Sequence, residues 1–174
     1  MKDILEKASA IKMVVFDVDG VLTDGSLFIG DDGEEYKAFY SRDGHGMNML
    51  RSTGVDIGII TGRTSNVVRH RMESMGIHHV YQGRLDKLPA FEDMCEKTGI
   101  PPENIAYVGD DVIDIPVLLR VGLAIAVQDA HPLVKEHTHW QTPSNGGRGA
   151  ARDVCELIMR AQNNLDTMMQ KYLK

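Results

Sequence analysis

Residues 14–25 read VVFDVDGVLTDG, an apolar run that ends abruptly in two carboxylates and a glycine. The β-branched composition of residues 11–16 predicts a buried strand. Because residues two apart on an extended backbone point to the same side, Asp17 and Asp19 can face one cavity while Gly20 lets the chain turn away. Carboxylates this close repel each other unless a cation lies between them or one is protonated. Alone, the stretch is equally typical of a strand followed by an Asp-Gly turn.

The composition limits the class of protein. The chain has 174 residues and a formal net charge of −6, which disfavours a nucleic-acid partner, since nucleic-acid binders usually carry a basic stripe. We expect one domain spanning residues 1–174, long enough to bury a core without disulfides. Cys95 and Cys155 fall in apolar helical patterns and are predicted to be buried free thiols, as in a reducing compartment. No run approaches the roughly eighteen apolar residues of a membrane span, so we expect a soluble, cytoplasmic protein with no membrane partner.

Strand and helix patterns alternate along almost the whole chain. After the first strand, apolar runs at 55–60, 79–81, 105–108 and 123–127 predict further strands, each followed by a helical pattern. The last helical pattern continues to Met168. This alternation predicts the α/β class, with a doubly wound, open parallel sheet of the Rossmann-like type and helices on both faces. Such sheets bind ligands beyond the carboxyl ends of their strands.

Residues 26–39 predict a β-hairpin, called the hairpin below. Two short extended runs flank a Gly-Asp-Asp-Gly turn at 30–33. A two-stranded hairpin is marginal in water by itself, so it must pack either over its own domain or against another subunit. No other insertion is available to close over the acidic edge. We favour packing against another subunit because the hairpin carries a large apolar load, namely Leu27, Phe28, Ile29, Tyr36 and Phe39.

Polar residues collect where this fold places its ligands. Thr61 follows the strand at 55–60, and Lys87 begins a helix that should start at the same edge of the sheet. Each of these residues has an ordinary alternative interpretation as a turn, a solvated lysine or a helix cap. Agreement among four separate segments nevertheless indicates a functional site. The aspartates that complete it are Asp17, Asp19, Asp110, Asp111 and Asp114.

The chemistry that these residues suit is phosphoryl transfer. A carboxylate is a workable nucleophile at neutral pH, but its approach to a phosphate dianion requires a divalent cation. Oxygen ligands from Asp17, Asp110 and the backbone near Asp19 suit Mg²⁺. Thr61 can hydrogen-bond a phosphoryl oxygen beside a backbone N–H, and Lys87 supplies a positive charge for the transition state. Asp19 is suited to protonate the leaving oxygen and later to activate water.

The order of the motifs resembles that of the haloacid dehalogenase superfamily of phosphotransferases. Asp-x-Asp-Gly-Val-Leu-Thr-Asp-Gly at 17–25 is followed by a strand-end Thr-Gly-Arg, a helix-start lysine and Gly-Asp-Asp-x-x-Asp at 109–114. More closely, nearly the whole chain resembles the 3-deoxy-D-manno-octulosonate 8-phosphate phosphatase family. The segments that carry this likeness are 25–39, 42–44, 60–63, 81–83, 106–111, 130–132 and 146–150.

The resemblance implies a role for each residue. It makes Asp17 the nucleophile and Asp19 the acid/base catalyst, and it makes Thr61 and Lys87 contacts of the phosphoryl group. It implies Mg²⁺ as the cofactor, held by Asp17, Asp110 and the Asp19 carbonyl, and the substrate also contacts Asp19 and Lys87. The further substrate contacts are predicted to be Tyr40, Ser41, Arg42, Asp43, Gly44, Gly62, Arg63 and Arg71, with Asp111 and Asp114 supporting the metal ligands.

The resemblance also implies a substrate and an assembly. The substrate would be a small sugar-acid phosphate, 3-deoxy-D-manno-octulosonate 8-phosphate, which belongs to the inner core of lipopolysaccharide. The assembly would be a homotetramer without cap domains, with the hairpin at its centre and a neighbouring subunit over each site. Members commonly carry Asn where this chain has Tyr40.

Several alternatives stay open at this point. A phosphatase of a nine-carbon sugar acid 9-phosphate fits the same residues, and a catalytically silent regulatory module is a more remote alternative. Arg63 and Arg71 suit a substrate carboxylate, but they are equally typical of solvated helix arginines. The glycine-rich loop around Arg148 has backbone amides that could cradle an anion. Whether the loop at 146–150 or the C-terminal tail reaches a neighbouring active site is also open.

Overall fold

The fold is a parallel β-sheet flanked by helices, and the computed structural model describes all residues from 1 to 174. The strands are β1 (Met13–Phe16), β2 (Phe28–Ile29), β3 (Glu35–Tyr36), β4 (Asp56–Ile60), β5 (His79–Tyr81), β6 (Ile105–Gly109), β7 (Leu123–Ala126) and β8 (Trp140–Gln141). The helices are α1 (Lys2–Ser9), α2 (Ser41–Arg51), α3 (Asn66–Ser74), α4 (Leu88–Thr98), α5 (Ile115–Leu118), α6 (Pro132–Glu136), α7 (Ala150–Ala161) and α8 (Leu165–Gln170). Short 3₁₀ turns at Pro102–Asn104 and Val112–Asp114 complete the chain.

Strand β1 lies in the middle of the six-stranded sheet. The order is β5-β4-β1-β6-β7-β8, and every neighbouring pair is parallel. The chain first moves outward through β4 and β5, then returns to the other side of β1 for β6, β7 and β8. All four residues of β1 are fully buried, which explains its uninterrupted apolar run. Because the strand order reverses at β1, a ligand crevice is expected beyond its carboxyl end.

The register of the central strands aligns their carboxyl ends. Phe16 is paired with Ile59 of β4 on one side and with Val108 of β6 on the other. The three strands therefore end at nearly the same level. As a result, the residues that follow them, among which are Asp17 and Asp110, emerge side by side at one edge of the sheet.

The helices pack in two groups against the sheet. Helix α7 contacts both α1 and α2, whereas α4 contacts α5, and α5 and α6 contact β7. The buried apolar side chains form one continuous cluster through both groups. The architecture confirms the predicted doubly wound parallel sheet. The longest helix, α7, has 12 residues, and no helix combines the length and apolar character that a membrane crossing requires.

Strands β2 and β3 form the predicted hairpin. Phe28 is paired with Tyr36 in an antiparallel ladder that is separate from the main sheet. The turn is closed by a hydrogen bond from the amide of Gly33 to the carbonyl of Gly30, and Gly33 has a left-handed φ of 81°. The apolar side chains on the two strands, including Ile29, are exposed within a single chain. The hairpin thus projects apolar surface into solvent.

Two sequence expectations about local structure are wrong. The final helical pattern is interrupted because α7 ends at Ala161 and Asn163 adopts a left-handed φ of 59°, which Asn tolerates better than most residues. The pattern continued to Met168 because α8 turns its apolar side onto the same core.

Cys155 is buried as expected, but Cys95 is partly exposed. Strand β8 was not predicted, because two residues give no detectable period.

Candidate active site

A polar cleft of about 260 Å³ opens at the carboxyl edge of β1, β4 and β6. Most of the predicted site residues from the strand ends line it. Its walls consist of Asp17, Asp19, Gly25, Thr61, Gly62, Arg63, Leu85, Asp110, Asp111 and Ile113. Leu85 and Ile113 were not predicted as parts of the site; Ile113 belongs to the 3₁₀ turn at Val112–Asp114, and apolar residues in such short segments have no distinctive pattern.

Asp17 and Lys87 form a buried ion pair beneath the cleft. The ammonium of Lys87 lies 2.8 Å from Oδ2 of Asp17, and Oδ1 accepts a hydrogen bond of 2.6 Å from the amide of Val18. Lys87 immediately precedes α4 and is only 1% exposed. Burial alone would lower the pKa of Lys87, but the negative charges of Asp17 and Asp114 raise it above its usual value. Lys87 therefore stays charged inside the protein.

Asp114 holds the other side of Lys87. Its Oδ1 accepts hydrogen bonds of 2.6 Å from both the Lys87 ammonium and the Tyr107 hydroxyl. Its Oδ2 accepts from the amides of Asp110 and Asp111 at 3.0 and 3.2 Å. The Asp111 carboxylate in turn caps the 3₁₀ turn by accepting from the Val112 amide. Both oxygens of Asp114 are thus occupied, and the residue acts as a brace for Lys87 and for the turn after β6.

Asp110 contributes an unsatisfied carboxylate to this cluster. Its Oδ1 is buried and has no hydrogen-bond partner. Burial, followed by the negative charges of Asp17 and Asp114, raises the pKa of Asp110 to about 8. Burial likewise raises the pKa of Asp17 to about 6, against the opposing charge of Lys87. Ionisation of all three carboxyl groups would place three negative charges around one ammonium, so the metal-free cluster favours retention of protons.

The turn after β1 needs glycine at position 20 for two reasons. Gly20 has a left-handed φ of 86°, which side chains rarely adopt. A Cβ atom at this position would also lie 2.0 Å from Oδ2 of Asp110. The Thr23 hydroxyl closes the turn by accepting from the amides of Gly20 and Gly25 at 3.3 and 3.2 Å. This turn lets the backbone beside Asp19 approach the acidic cluster.

Thr61 and Gly62 form the opposite wall of the cleft. Thr61 is buried directly after β4, and its amide donates to the carbonyl of Tyr81 at 2.9 Å. No protein acceptor faces the Gly62 amide. The Thr61 hydroxyl and the Gly62 amide are therefore donors available to an anion in the cleft, and their contact with a phosphoryl group stays a prediction. Arg63 follows at the mouth, with a half-exposed side chain.

The hairpin supplies a residue that sequence reasoning missed. The ammonium of Lys37 lies 2.5 Å from Oδ1 of Asp19 and 3.0 Å from Oε1 of Glu35. Glu35 also meets the guanidinium of Arg63 at 3.2 Å. Asp19, Lys37, Glu35 and Arg63 thus form a row of alternating negative and positive charges, called the line below, between the cleft and the hairpin. Only the folding of residues 26–39 back towards Asp19 brings them together, so no local pattern could reveal the line.

The segment 40–44 and Arg71 lie apart from the cleft. Tyr40, Asp43, Gly44 and Arg71 border a separate narrow crevice, called the side crevice below, in which the Arg71 guanidinium stacks over a phenylalanine ring. The exposed Ser41 and Arg42 begin α2, and Arg42 lies 6.0 Å from the Tyr40 ring. Within one chain, these predicted substrate contacts are not brought to Asp17.

The Asp43 carboxylate is bound by backbone amides of another element. Its carboxylate accepts from the amides of Gly149 and Arg152 at the start of α7, at 3.4 and 2.9 Å. Burial raises the pKa of Asp43 above its usual value, although these two hydrogen bonds oppose the effect. The side chain therefore ties α2 to α7 and does not point into the cleft.

The glycine-rich loop supports the turn after β1 and does not form an anion cradle. The amides of Gly146 and Gly147 donate to Asp129 and to the carbonyl of Val21, at 2.9 and 2.8 Å. A Cβ atom on Gly146 would lie 1.7 Å from the Gly20 carbonyl oxygen, which shows how tightly the two segments pack. Arg148 pairs with Asp24 at 3.1 Å. The loop amides are thus used within the protein.

Comparison with known proteins matches this chain to a family of phosphatases. A sequence profile of haloacid dehalogenase-like hydrolases matches residues 71–152. The 3-deoxy-D-manno-octulosonate 8-phosphate phosphatase KdsC of Escherichia coli strain K12 is 49% identical over 164 residues, covering 94% of this chain and 87% of the relative. The chain belongs to the 3-deoxy-D-manno-octulosonate 8-phosphate phosphatase family of haloacid dehalogenase-like hydrolases.

Solved structures from this phosphatase family agree with the fold over nearly its full length. The enzyme of Yersinia pestis superposes with a TM-score of 0.93 at 46% identity, covering 94% of this chain and 89% of the other. The enzyme of Moraxella catarrhalis, in complex with a magnesium ion, a phosphate ion and KDO, superposes with a TM-score of 0.97 at 40% identity, covering 99% of both chains. No cap domain is present in the fold described above.

The acidic cluster of this phosphatase family member fits a magnesium ion. Carboxylate oxygens of Asp17, Asp110 and Asp114 all lie within 4.8 Å of one another. Mg²⁺ prefers oxygen ligands, and a buried carboxylate oxygen without a partner is costly unless a cation or donor meets it. Because Asp114 is fully engaged by its own partners, the side chains available to a metal are Asp17 and Asp110. The backbone carbonyl of Asp19 stays a prediction as the third protein ligand.

Without metal, the free energy of unfolding is expected to fall as pH rises from about 5 to about 8. The pKa values of Asp17 and Asp110 are about 6 and about 8 in the folded chain, above the usual 3.8. Over this interval the folded chain holds protons that the unfolded chain has released, so deprotonation disfavours the folded state. Mg²⁺ needs ionised ligands and should therefore raise the Tm most at the alkaline end.

Thermal unfolding followed by circular dichroism, in EDTA and in Mg²⁺ across this pH range, measures the effect. The control is Asp110→Asn, which removes the more strongly shifted group and should flatten the pH dependence in EDTA. A metal-free Tm that rises steadily with pH would contradict the expectation.

Proposed function

We propose that this protein is a Mg²⁺-dependent phosphomonoesterase that hydrolyses 3-deoxy-D-manno-octulosonate 8-phosphate to the free sugar acid and phosphate, in the synthesis of the lipopolysaccharide inner core. The observation that carries the proposal is the arrangement at the end of β1. Asp17 lies under an open polar cleft, paired with a buried Lys87 and next to the unsatisfied oxygen of Asp110. The names and ligands of the relatives described above support the same activity.

The reaction proceeds in two displacements at phosphorus, in which Asp17 is first the nucleophile and then the leaving group. First, a carboxylate oxygen of Asp17 attacks phosphorus, and the bond from phosphorus to the sugar oxygen breaks as Asp19 donates its proton to that oxygen. An aspartyl-phosphate results. Water then attacks the phosphorus, gives a proton to Asp19 and releases phosphate, which restores Asp17. When bound, Mg²⁺ reduces the repulsion between the phosphate dianion and Asp17.

The remaining residues of the cleft hold charge and orient the phosphoryl group. Lys87 keeps Asp17 in one orientation and offsets negative charge near the reacting phosphorus. The Thr61 hydroxyl and the Gly62 amide can donate to phosphoryl oxygens. Arg63, at the mouth, is the cation best placed within one chain to meet the substrate carboxylate. Contacts from segment 40–44 and Arg71 stay predictions, because the side crevice is separate from the cleft.

The test is phosphate release from a panel of substrates, with Mg²⁺ and with a chelator. The panel contains 3-deoxy-D-manno-octulosonate 8-phosphate, a nine-carbon sugar acid 9-phosphate and common sugar phosphates. A clear preference in kcat/KM for the eight-carbon acid, lost in the chelator, is the expected result. Preference for the nine-carbon acid would overturn the substrate assignment alone, whereas absence of any turnover would overturn the enzymatic proposal.

We also propose that residues 1–174 form one phosphatase domain that assembles into a homotetramer in the cytoplasm. The single hydrophobic core supports one domain, and the free thiols are in keeping with a reducing compartment. The exposed apolar surface of the hairpin supports assembly with other subunits. A neighbouring subunit over each cleft would also take the place of the absent cap.

The double variant Phe28→Ser/Ile29→Ser is expected to convert the tetramer into smaller species. Both side chains lie on β2 and are exposed in the single chain, so burying them between subunits would stabilise the assembly by about 1.5–3 kcal/mol per side chain. Multi-angle light scattering measures the change. The matched control is Leu119→Ser, which removes an equally exposed apolar side chain far from the hairpin and should leave the mass unchanged. A double variant of unchanged mass would refute the role of the hairpin.

A further inference from the structure

A single polar contact within the chain restrains the carboxylate of Asp19. Asp17 has two hydrogen-bond partners and Asp114 has four, spread over both of their oxygens. The carboxylate of Asp19 has one polar contact in the whole protein, the ammonium of Lys37 at 2.5 Å. Its side chain is 20% exposed at the cleft. Within the chain, the only polar group that restrains the Asp19 carboxylate is therefore the Lys37 ammonium.

The surroundings of Lys37 hold its ammonium group beside the Asp19 carboxylate. Its side chain is only 1% exposed, although it belongs to a projecting hairpin. Glu35 is a second carboxylate partner of the ammonium, and it also pairs with Arg63 at the mouth of the cleft. Lys37 itself does not line the cleft, so its effect on a bound phosphate ester must pass through Asp19. Burying a lysine ammonium is costly unless carboxylates meet it, and here two of them do.

We propose that Lys37 is a positioning residue that holds the Asp19 carboxyl group in line with the leaving oxygen of the substrate. The inference rests on the proposed function, in which Asp19 donates the proton to that oxygen. Proton transfer requires a heavy-atom distance of roughly 2.6–3.2 Å, and a displacement of about 1 Å can cost on the order of 10²-fold in rate. The hairpin therefore affects proton transfer through Lys37, in addition to any contact that it makes with other subunits.

The test compares two kinds of ester in Lys37→Met, which keeps the length of the side chain and removes its charge. An alkyl phosphate such as a sugar phosphate has a poor leaving group that needs the proton of Asp19, whereas p-nitrophenyl phosphate has a good leaving group that does not. We compare kcat/KM, because it reports the steps through departure of the leaving group and excludes the later attack of water, in which Asp19 also takes part. We expect kcat/KM for the alkyl phosphate to fall by about 10- to 100-fold. For p-nitrophenyl phosphate the loss should stay within about threefold. Equal losses on both esters would overturn the proposal.

Two further variants separate positioning from general damage to the hairpin. In an Asp19→Asn background, Lys37→Met should cause little additional loss, because the two residues act as a unit. Full additivity would contradict the proposal. Lys37→Arg keeps a cation and is expected to restore most of kcat/KM on the alkyl ester. Glu34→Gln removes an exposed charge from the same hairpin, touches no charged group, and should behave as the parent protein.

A failure of the positioning role of Lys37 can be distinguished from a failure of the proposed function. The alkyl ester is whichever sugar phosphate the parent protein hydrolyses, so an incorrect choice of sugar acid leaves the comparison intact. If Lys37→Met loses its assembly state by light scattering, Lys37→Arg is judged instead. An arginine variant as impaired as Asp19→Asn on both esters would overturn the inference.

Discussion

Asp17→Asn is expected to lower kcat on the phosphate ester by at least about 10⁴-fold while the protein stays folded. The amide has nearly the shape of the carboxylate but cannot attack phosphorus. Asn also offers a single acceptor to the two donors that Asp17 satisfies, the Val18 amide and the Lys87 ammonium. Because Lys87 retains Asp114, we expect only a modest loss of stability. Phosphate release and the circular dichroism spectrum measure both effects.

The covalent intermediate gives a second readout of the same substitution. When the parent protein is quenched in acid during turnover, the peptide that contains Asp17 should carry one phosphoryl group by mass spectrometry. The same peptide from Asp17→Asn should carry none. Asp24→Asn serves as the control. This exposed residue of the same loop pairs with Arg148 and accepts from the Ser26 amide, so its substitution should change kcat by less than about twofold. An active Asp17→Asn variant would refute the aspartyl-phosphate mechanism.

The strand ends of the site could be predicted because they depend on local pattern and on one general rule. The apolar run before Asp17 identified β1, and parallel strands deliver their carboxyl ends to one edge of a sheet. The register that pairs Phe16 with Ile59 and Val108 then places Asp17 beside Asp110. Nothing beyond hydrophobic period and topology was needed for this part.

Contacts between distant segments could not be predicted in the same way. Lys37 meets Asp19 only because the hairpin folds back on the turn that precedes it, and Asp43 meets the start of α7 across 109 positions, at Arg152. Lys37 has no distinguishing pattern in the sequence, and Asp43 was predicted to be a substrate contact only through the family resemblance. Such assignments require side-chain directions, which periodicity does not supply.

Lys87→Met is expected to lower the free energy of unfolding by about 3–5 kcal/mol and to abolish measurable turnover. The substitution leaves two buried carboxylates, Asp17 and Asp114, without the cation between them. Methionine fills most of the volume, so the loss comes from uncompensated charge and not from a cavity. Tyr107 still donates to Asp114, but it carries no charge. Urea denaturation followed by fluorescence, with m-values compared, measures the stability change.

The double variant Lys87→Met/Asp17→Asn separates the two consequences of removing the lysine. With Asp17 neutralised, one of the two unpaired charges disappears, and Asp114 keeps its hydrogen bonds from Tyr107 and from two backbone amides. Stability should therefore recover in part, so that the double variant unfolds at higher urea than Lys87→Met alone. Activity should not recover, because the nucleophile is gone. A double variant less stable than Lys87→Met would mean that packing, and not charge balance, explains why a lysine is buried beneath the cleft.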